Sequence, residues 1–340
     1  MQTILVTGGT GYIGSHTAVE LINAGYHVII VDNLSNSQLE VLDGIEAITG
    51  IRPVFEQFNL CEREKVYNLC SKHPIDAIIH FAALKAVGES VEKPLEYYHN
   101  NLESLIILLE SMKKFNIPSM VFSSSCTVYG QPDELPVTEN APIKKALAPY
   151  GNTKQISEEI IQDAIHALPD IKAISLRYFN PIGAHPSAHI GELPLGIPLN
   201  LVPFVTQSVA GLREKLRVFG NDYDTPDGTA IRDYIYVVDL AKAHVIALKR
   251  LLENKNTSNY EIFNLGTGKG TSVMEMIKTF EKATGLKVNY EIVGRREGDI
   301  EKVWADTSCA NEVLGWKADT SLEEILRTAW KWEKKIRNIQ

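Results

Sequence analysis

The chain has 340 residues, a formal net charge of −8 and 44% hydrophobic residues, which is typical of a globular protein with an ordinary core in one large or two modest domains. The modest charge and the lack of a basic block argue against nucleic acid or a membrane as a partner, and no stretch approaches the ~18 apolar residues of a membrane span. With four scattered cysteines, no C-x-x-C pair and no cationic leader, we expect a cytoplasmic protein without disulfides.

The first predicted elements are a strand, a glycine turn and a helix. Residues 4–6 form a short apolar run typical of a strand buried on both faces of a parallel sheet. Gly8, Gly11 and Gly14 follow, and apolar residues then recur at helical spacing over residues 13–22. Glycines let the backbone turn closely around a pyrophosphate, whose oxygens the N–H groups of the helix start can bind. The pattern therefore predicts a dinucleotide site.

A second apolar strand, residues 28–31, ends at Asp32. A carboxylate in this position accepts hydrogen bonds from a ribose hydroxyl and repels a 2′-phosphate. The sequence therefore favours NAD over NADP. A polar loop, residues 33–37, follows the acid.

Strand and helix continue to alternate beyond this loop. We predict a helix ending near residue 49, a strand over 54–58, a helix over 62–72, a strand over 77–80, a long helix over 95–115, a strand over 120–125 and a helix from residue 149. The carboxyl ends of parallel strands line the ligand crevice of such a sheet, so segment 81–85 and Ser125 should lie there.

The order of these elements predicts an α/β fold. A Rossmann-type doubly wound parallel sheet would occupy a dinucleotide-binding domain of residues 1–180. From residue 181 the alternation becomes irregular, which indicates a smaller α/β substrate lobe, mainly residues 181–340, with some segments returning to the first domain.

Tyr150 and Lys154 stand at the head of a predicted helix, four residues apart, so they share one face. A free tyrosine has a pKa of about 10 and is a poor base near neutrality, but a nearby ammonium and a positive nicotinamide ring would lower that pKa. Ser125, at the end of its strand, could hold the same substrate hydroxyl. This group predicts proton transfer at a hydroxyl together with hydride transfer to NAD.

The G-x-x-G-x-x-G spacing of the first turn resembles the extended short-chain dehydrogenase/reductase superfamily. Further matches at residues 123–130, 150–154, 177–183 and 294–299 resemble the UDP-glucose 4-epimerase family within it, and the resemblance covers nearly the whole chain. It implies an isomerase of galactose metabolism that interconverts UDP-glucose and UDP-galactose through a 4-keto intermediate, with NAD as the cofactor.

The resemblance also implies roles for individual residues. The catalytic residues would be Tyr150, Lys154 and Ser125. The cofactor-binding residues would be Gly8, Gly11, Tyr12, Ile13, Gly14, Asp32, Asn33, Asn36, Ser37, Asn59, Leu60, Phe81, Ala82, Ala83, Lys85, Asn100, Ser125, Tyr150, Lys154 and Phe179. The substrate-binding residues would be Lys85, Ser125, Tyr150, Tyr178, Asn180, Asn200, Leu201, Arg217, Val218, Phe219, Arg232, Tyr234, Arg296, Asp299 and Val303.

Two positions differ from patterns known in relatives. Asn59 stands where the family usually carries an aspartate that meets the adenine, and its amide still offers an acceptor. Cys126 and Thr127 follow Ser125, where nucleotide-sugar 4,6-dehydratases carry an acid that the elimination of water requires. The alternatives that stay open are another nucleotide-sugar enzyme of the superfamily, either a 4,6-dehydratase or a reductase, and a non-catalytic NAD-binding regulator.

The apolar stripe of the helix over residues 95–115 is widened by Ile107 and Leu108, so this helix needs two packing partners. The resemblance implies a homodimer formed through this helix and the helix near residues 150–165. Ordinary burial within one chain is the alternative.

Val303 stands where family members carry either a tyrosine or a small residue. A small residue would leave room for a 2-acetamido group, so we expect UDP-N-acetylglucosamine and UDP-N-acetylgalactosamine to be accepted as well.

We expect no metal site. Only His185 and His189 have the i,i+4 spacing of a helical ligand pair, and Pro186 and Gly191 indicate a loop in this segment.

Overall fold

The computed structural model describes residues 1–296 and 299–339. Its strands, in chain order, are β1 (Thr3–Thr7), β2 (His27–Asp32), β3 (Val54–Gln57), β4 (Ala77–His80), β5 (Ser119–Ser125), β6 (Lys172–Tyr178), β7 (Asn180–Ile182), β8 (Leu216–Phe219), β9 (Ile231–Arg232), β10 (Tyr234–Tyr236), β11 (Tyr260–Leu265), β12 (Thr271–Ser272), β13 (Tyr290–Val293) and β14 (Lys302–Val303). Seven of them form one parallel sheet in the order β11-β6-β5-β4-β1-β2-β3. The predicted α/β class with a doubly wound parallel sheet is confirmed.

Helices cover both faces of this sheet. The α-helices are α1 (Tyr12–Asn23), α2 (Val41–Thr49), α3 (Arg63–Lys72), α4 (Val87–Glu92), α5 (Pro94–Phe115), α6 (Pro149–Ala167), α7 (Leu201–Val209), α8 (Val237–Leu252), α9 (Val273–Thr284) and α10 (Leu322–Arg337). A 3-10 helix (Cys126–Tyr129) and a π-helical turn (Ala310–Leu314) complete the set in the described ranges. No helix in these ranges is both long and apolar enough to cross a bilayer.

The first strand explains why the sheet is covered on both sides. Successive residues of a strand point to opposite faces. Ile4 and Val6 pack with α1, α2 and α8, whereas Leu5 packs with α3, α5 and α6. All three side chains are fully buried, so the apolar run of β1 supplies two cores at once.

Two elements from the second half of the chain belong to these layers. β11 pairs in parallel with β6, from Tyr260 opposite Ala173 to Leu265 opposite Tyr178. α8 packs against α1 and on the same sheet face. The remaining strands after residue 180 form three small sheets, β10-β7, β12-β9-β14 and β13-β8, with a separate core beneath α7, α9 and α10.

Candidate active site

The glycine turn between β1 and α1 has no room for side chains. A Cβ on Gly14 would lie 2.2 Å from the carbonyl oxygen of Gly8, and a Cβ on Gly8, which has a φ of +68°, would lie 2.8 Å from the backbone nitrogen of Ala82. Gly11 precedes α1, and no side chain of the described chain caps the helix start. Close backbone approach and open N–H groups are the features that bind a pyrophosphate.

Asp32 is held at the carboxyl end of β2, beside this turn. Its Oδ1 accepts hydrogen bonds from the Leu34 N–H at 2.9 Å and the Ser37 hydroxyl at 3.1 Å, and its Oδ2 accepts from the Thr10 N–H at 3.3 Å. The carboxylate therefore has a fixed orientation at the position where a ribose would lie. Asn33 and Asn36, from the same loop, are exposed.

Asn59 and Leu60 follow β3, and Asn100 lies in α5; all three were expected to bind the cofactor, and Asn59 to meet the adenine. Leu60 is buried, and the Asn59 Oδ1 accepts a hydrogen bond from the Cys61 N–H at 3.0 Å. Asn100 donates from Nδ2 to the Oδ1 of Asn101 at 3.0 Å. The acceptor that we expected Asn59 to offer is thus already used within its own turn, although a carbonyl oxygen can accept a second bond.

Asn101 was not identified from the sequence. Its amide bonds both the N–H and the carbonyl oxygen of Leu84, at 2.8 and 3.0 Å, and the Thr153 hydroxyl at 3.1 Å. It therefore connects segment 81–85 to α5 and α6. Phe81, Ala82 and Ala83 are half-buried there, and Lys85 is exposed.

Tyr150, Ser125 and Lys154 are brought together at the carboxyl edge of the sheet. Ser125 Oγ accepts hydrogen bonds from the Thr127 N–H at 3.2 Å and the Thr127 hydroxyl at 3.0 Å, and Ser125 lies near enough to the Tyr150 phenol to lower the pKa of that phenol. Lys154 Nζ donates to the carbonyl oxygen of Ser123 at 2.7 Å and lies 6.0 Å from the centroid of the Tyr150 ring. The Tyr150 phenol, the Ser125 hydroxyl and the buried Lys154 ammonium thus share one site.

The electrostatics of this group differ from the simple expectation. Burial raises the pKa of Tyr150 well above its ordinary value, and the neighbouring Tyr178 phenol adds to the effect. Burial also lowers the pKa of Lys154 to about 8, while Glu158 opposes that change. The Lys154 ammonium is bound to the Ser123 carbonyl oxygen and not to the Tyr150 phenol. Within the chain itself, desolvation therefore raises the pKa of Tyr150, in place of the lowering that we predicted from Lys154.

A buried polar network lies behind the catalytic group. Arg177 donates to both carboxylate oxygens of Glu158, with Nε distances of 3.0 and 3.2 Å and an Nη2 distance of 2.5 Å. Arg177 also donates to the Tyr129 hydroxyl at 2.9 Å, and the Ser124 hydroxyl donates to Glu158. The network joins β5, β6 and α6, and two of these elements, β5 and α6, carry the candidate catalytic residues.

On the substrate side, two of the predicted ligands contact each other. Arg232 Nη2 lies 2.6 Å from Asp299 Oδ1, and both side chains are largely buried. The guanidinium of Arg296 stacks on the Phe219 ring, 4.4 Å from its centroid. Of the predicted 294–299 segment, Glu297 and Gly298 lie outside the described residues.

The remaining predicted substrate residues divide by burial. Val303 pairs with Arg232 between β14 and β9 and packs with Phe179 in one apolar cluster. Val218 and Tyr234 lie in the core beneath α7 and α9, whereas Arg217 is exposed. The others lie as follows: Tyr178 buried and bonded to the Ser123 hydroxyl, Asn180 half-buried, Asn200 exposed and Leu201 half-buried. Of the predicted cofactor residues, Tyr12 donates a hydrogen bond to the Gly183 carbonyl oxygen at 2.6 Å, with Ile13 next to it in the chain.

Glu192 is a second site residue that the sequence did not indicate. Its Oε1 accepts a hydrogen bond from the Asn200 Nδ2 at 2.6 Å. Burial raises the pKa of the Glu192 carboxyl, and the charge of Lys85 opposes that shift. The residue therefore binds Asn200 and is influenced by the charge of Lys85, and only the fold brings these residues near one another.

Comparison with known proteins assigns the family. The family model for GDP-mannose 4,6 dehydratase matches residues 5–329. The UDP-glucose 4-epimerase of Bacillus subtilis (strain 168) is 52% identical over 332 residues, which are 98% of this chain and 97% of that protein. The chain belongs to the UDP-glucose 4-epimerase family.

Solved structures of this family have the same fold over the whole chain. The UDP-glucose 4-epimerase of Stenotrophomonas maltophila, crystallised with NAD and formylated UDP-arabinopyranose, has a TM-score of 0.96 and 47% identity, with all of both chains covered. The enzyme of Bifidobacterium longum in complex with NAD+ and UDP has a TM-score of 0.94 and 46% identity, again over all of both chains.

The family assignment agrees with the residues after Ser125. Cys126 and Thr127 supply no carboxyl group. Burial raises the pKa of Cys126 to about 12, so its thiol is not an acid/base group near neutrality either. The site thus lacks the additional acid that a dehydratase of the matching family model would need at this position.

Proposed function

We propose that the chain is an NAD-dependent 4-epimerase that interconverts UDP-glucose and UDP-galactose, with Tyr150, Ser125 and Lys154 as its catalytic residues. The observation that carries this proposal is the shared position of these three residues at the carboxyl edge of the sheet, the same edge that carries the glycine turn. The high similarity to UDP-glucose 4-epimerases over nearly the full chain supports the same function.

The cofactor residues fit NAD. The close turn at Gly8 and Gly14 and the uncapped start of α1 would hold the pyrophosphate, and the oriented Asp32 carboxylate would bind a ribose and disfavour a 2′-phosphate. When bound, NAD would accept a hydride from C4′ of the sugar and return it to the other face. Lys154, whose Nζ is held by the Ser123 carbonyl oxygen, would donate a hydrogen bond to the cofactor. Its positive charge would favour the phenolate form of Tyr150.

Tyr150 would remove the proton of the 4′-hydroxyl while Ser125 holds that hydroxyl by a hydrogen bond. The product of this step is a 4-keto sugar. Arg232 and Arg296 would bind the diphosphate, and Asp299 would bind ribose hydroxyls. Because the sugar would be held through its UDP end, it could turn over, and Tyr150 would then return the proton to give the inverted hydroxyl.

The direct test is incubation of the purified, tag-free protein with UDP-galactose and no added cofactor, followed by NMR analysis of the products. We expect UDP-glucose, because NAD is regenerated in each cycle. A 4-keto-6-deoxy sugar would instead identify a dehydratase, and a requirement for NADPH would identify a reductase. Absence of turnover despite bound NAD would favour the non-catalytic regulator.

We also propose that UDP-N-acetylglucosamine and UDP-N-acetylgalactosamine are substrates. Val303 pairs with Arg232 and shares a cluster with Phe179, two of the residues assigned to the site. We expect Val303→Tyr to abolish turnover of the N-acetyl sugars while UDP-galactose turnover persists, because the larger side chain would fill the space for the acetamido group. Parallel kinetics on both substrate pairs are the measurement. If the unmutated protein does not turn over N-acetylhexosamines, the idea is wrong.

A homodimer through α5 and α6 is part of the same proposal. Ile107 and Leu108, on which the prediction of a second packing partner was based, are buried within the chain. Leu95 and Ile106 instead expose apolar surface on α5, with exposed fractions of 82% and 40%. A second copy would bury this surface, and light scattering of the purified chain measures the expected mass.

We further propose a cytoplasmic location and a division near residue 180 between an NAD-binding domain and a UDP-sugar-binding lobe.

A further inference from the structure

A cluster of metal-ligating side chains lies outside the proposed catalytic group. Cys61, His99 and Glu103 each offer one donor atom, and these three atoms lie within 4.8 Å of one another. His99 and Glu103 are one turn apart on α5, and their Nδ1 and Oε2 atoms are 2.9 Å apart. Cys61 lies in the turn between β3 and α3, and its Sγ donates to the Asn100 carbonyl oxygen at 3.8 Å.

In a single copy of the chain, the cluster lies at the surface, although the Oε2 atom of Glu103 is itself covered. The His99 and Glu103 side chains are 72% and 40% exposed, and Cys61 is half-buried. The cluster faces α3, since Glu110, two turns beyond Glu103 on α5, pairs with Arg63 of α3. A cation could therefore enter from solvent and keep a water molecule as its fourth ligand.

The donor types select the kind of metal. A thiolate, an imidazole and a carboxylate form the mixed sulfur, nitrogen and oxygen set that binds zinc, whereas magnesium and calcium prefer oxygen ligands alone. Tetrahedral zinc places its ligands about 2.0–2.3 Å from the metal, and hence about 3.5 Å from one another. The pair on α5 is already closer than this, and the exposed His99 side chain can move to bring all three donors into range.

We propose that Cys61, His99 and Glu103 form a binding site for one Zn²⁺ ion. This inference differs from the expectation of no metal site, because the three residues are separated in the chain and only the packing of the β3–α3 turn against α5 unites them. The site adjoins two of the proposed cofactor contacts: the Cys61 N–H donates to Asn59 Oδ1, and the Cys61 thiol donates to the carbonyl oxygen of Asn100. Its ligands are not among the residues assigned to catalysis or cofactor binding.

The test uses the tag-free full chain and Co²⁺ as a spectroscopic probe for the zinc site. We expect one equivalent of Co²⁺ to produce the thiolate-to-cobalt charge-transfer absorption, and Zn²⁺ to remove it by competition. Cys61→Ser should abolish the absorption. Loss of an outer-shell partner alone weakens metal binding about 10–100-fold, so His99→Ala and Glu103→Gln should each weaken binding at least tenfold.

Two matched variants control for metal binding elsewhere. Cys309→Ser removes another half-buried thiol, and His189→Ala removes another exposed imidazole, and neither should change Co²⁺ affinity. Circular dichroism of every variant verifies folding. The proposal is overturned if the unmutated chain shows no charge-transfer absorption, if Cys61→Ser retains it, or if the control variants weaken binding as strongly as the ligand variants do.

Discussion

We expect Tyr150→Phe to lower the rate of UDP-galactose epimerisation by a factor on the order of 10²–10⁴, the usual contribution of general acid–base catalysis. The substitution removes only the phenolic oxygen beside Ser125 and leaves the aromatic ring in its half-buried position. Bound NAD, measured by its absorbance after release from the protein, should remain close to that of the unmutated enzyme. Initial rates at saturating UDP-galactose provide the measurement.

A second tyrosine supplies the control for this variant. Tyr260 on β11 is a partly buried tyrosine whose hydroxyl bonds to Ser175 at 2.8 Å, away from the proposed catalytic group. Tyr260→Phe should retain nearly full activity, because it removes a comparable hydroxyl without affecting Ser125. Tyr150→Phe activity close to that of the unmutated enzyme would contradict the assigned role of the phenol.

We expect Glu158→Ala to reduce the free energy of unfolding by about 3–5 kcal/mol, the cost of removing one partner of a buried ion pair. Arg177 is 5% exposed and Glu158 is 9% exposed, so the variant leaves an uncompensated guanidinium between β6 and α6. The Tyr129 hydroxyl stays within reach of Arg177 but carries no charge. Urea-induced unfolding followed by circular dichroism measures the loss.

An exposed ion pair offers the comparison for this variant. Asp43 lies 2.6 Å from Arg52, and its side chain is 66% exposed. Water screens such pairs, so Asp43→Ala should leave the urea midpoint nearly unchanged. Equal midpoints for Glu158→Ala and Asp43→Ala would mean that the buried carboxylate does not stabilise the fold as argued.

Local sequence patterns were sufficient for most elements in the first half of the fold, although α4 was not predicted. The apolar run before Gly8 and the glycines after it predicted β1, the turn and α1, because each depends on neighbouring residues in the chain. The strand that ends in Ser125 and the helix that begins at Pro149 were predicted in the same way, with bounds close to those observed. Parallel strands share one ligand edge, so the approximate position of the site followed from the order of elements.

Contacts between distant segments could not be predicted from patterns. Asn101 holds segment 81–85, and Glu192 binds Asn200, but an isolated amide or carboxylate in a sequence gives no sign of such a partner. Arg232 and Asp299 were each expected to bind substrate, and their mutual contact depends on pairing between β9 and β14. The effect of Lys154 was overestimated because sequence spacing does not reveal the hydrogen bond to Ser123.

The return of β11 and α8 has a consequence for how the molecule folds. β11 forms the outermost strand beside β6, and α8 covers apolar side chains of the central strands. Truncation after residue 180 would leave the edge of β6 unpaired and expose the large apolar surface that α8 covers. The N-terminal fragment alone would therefore be prone to aggregate. Synthesis of the chain must therefore proceed past residue 265 before the sheet is complete, and the two halves should unfold cooperatively in a single transition.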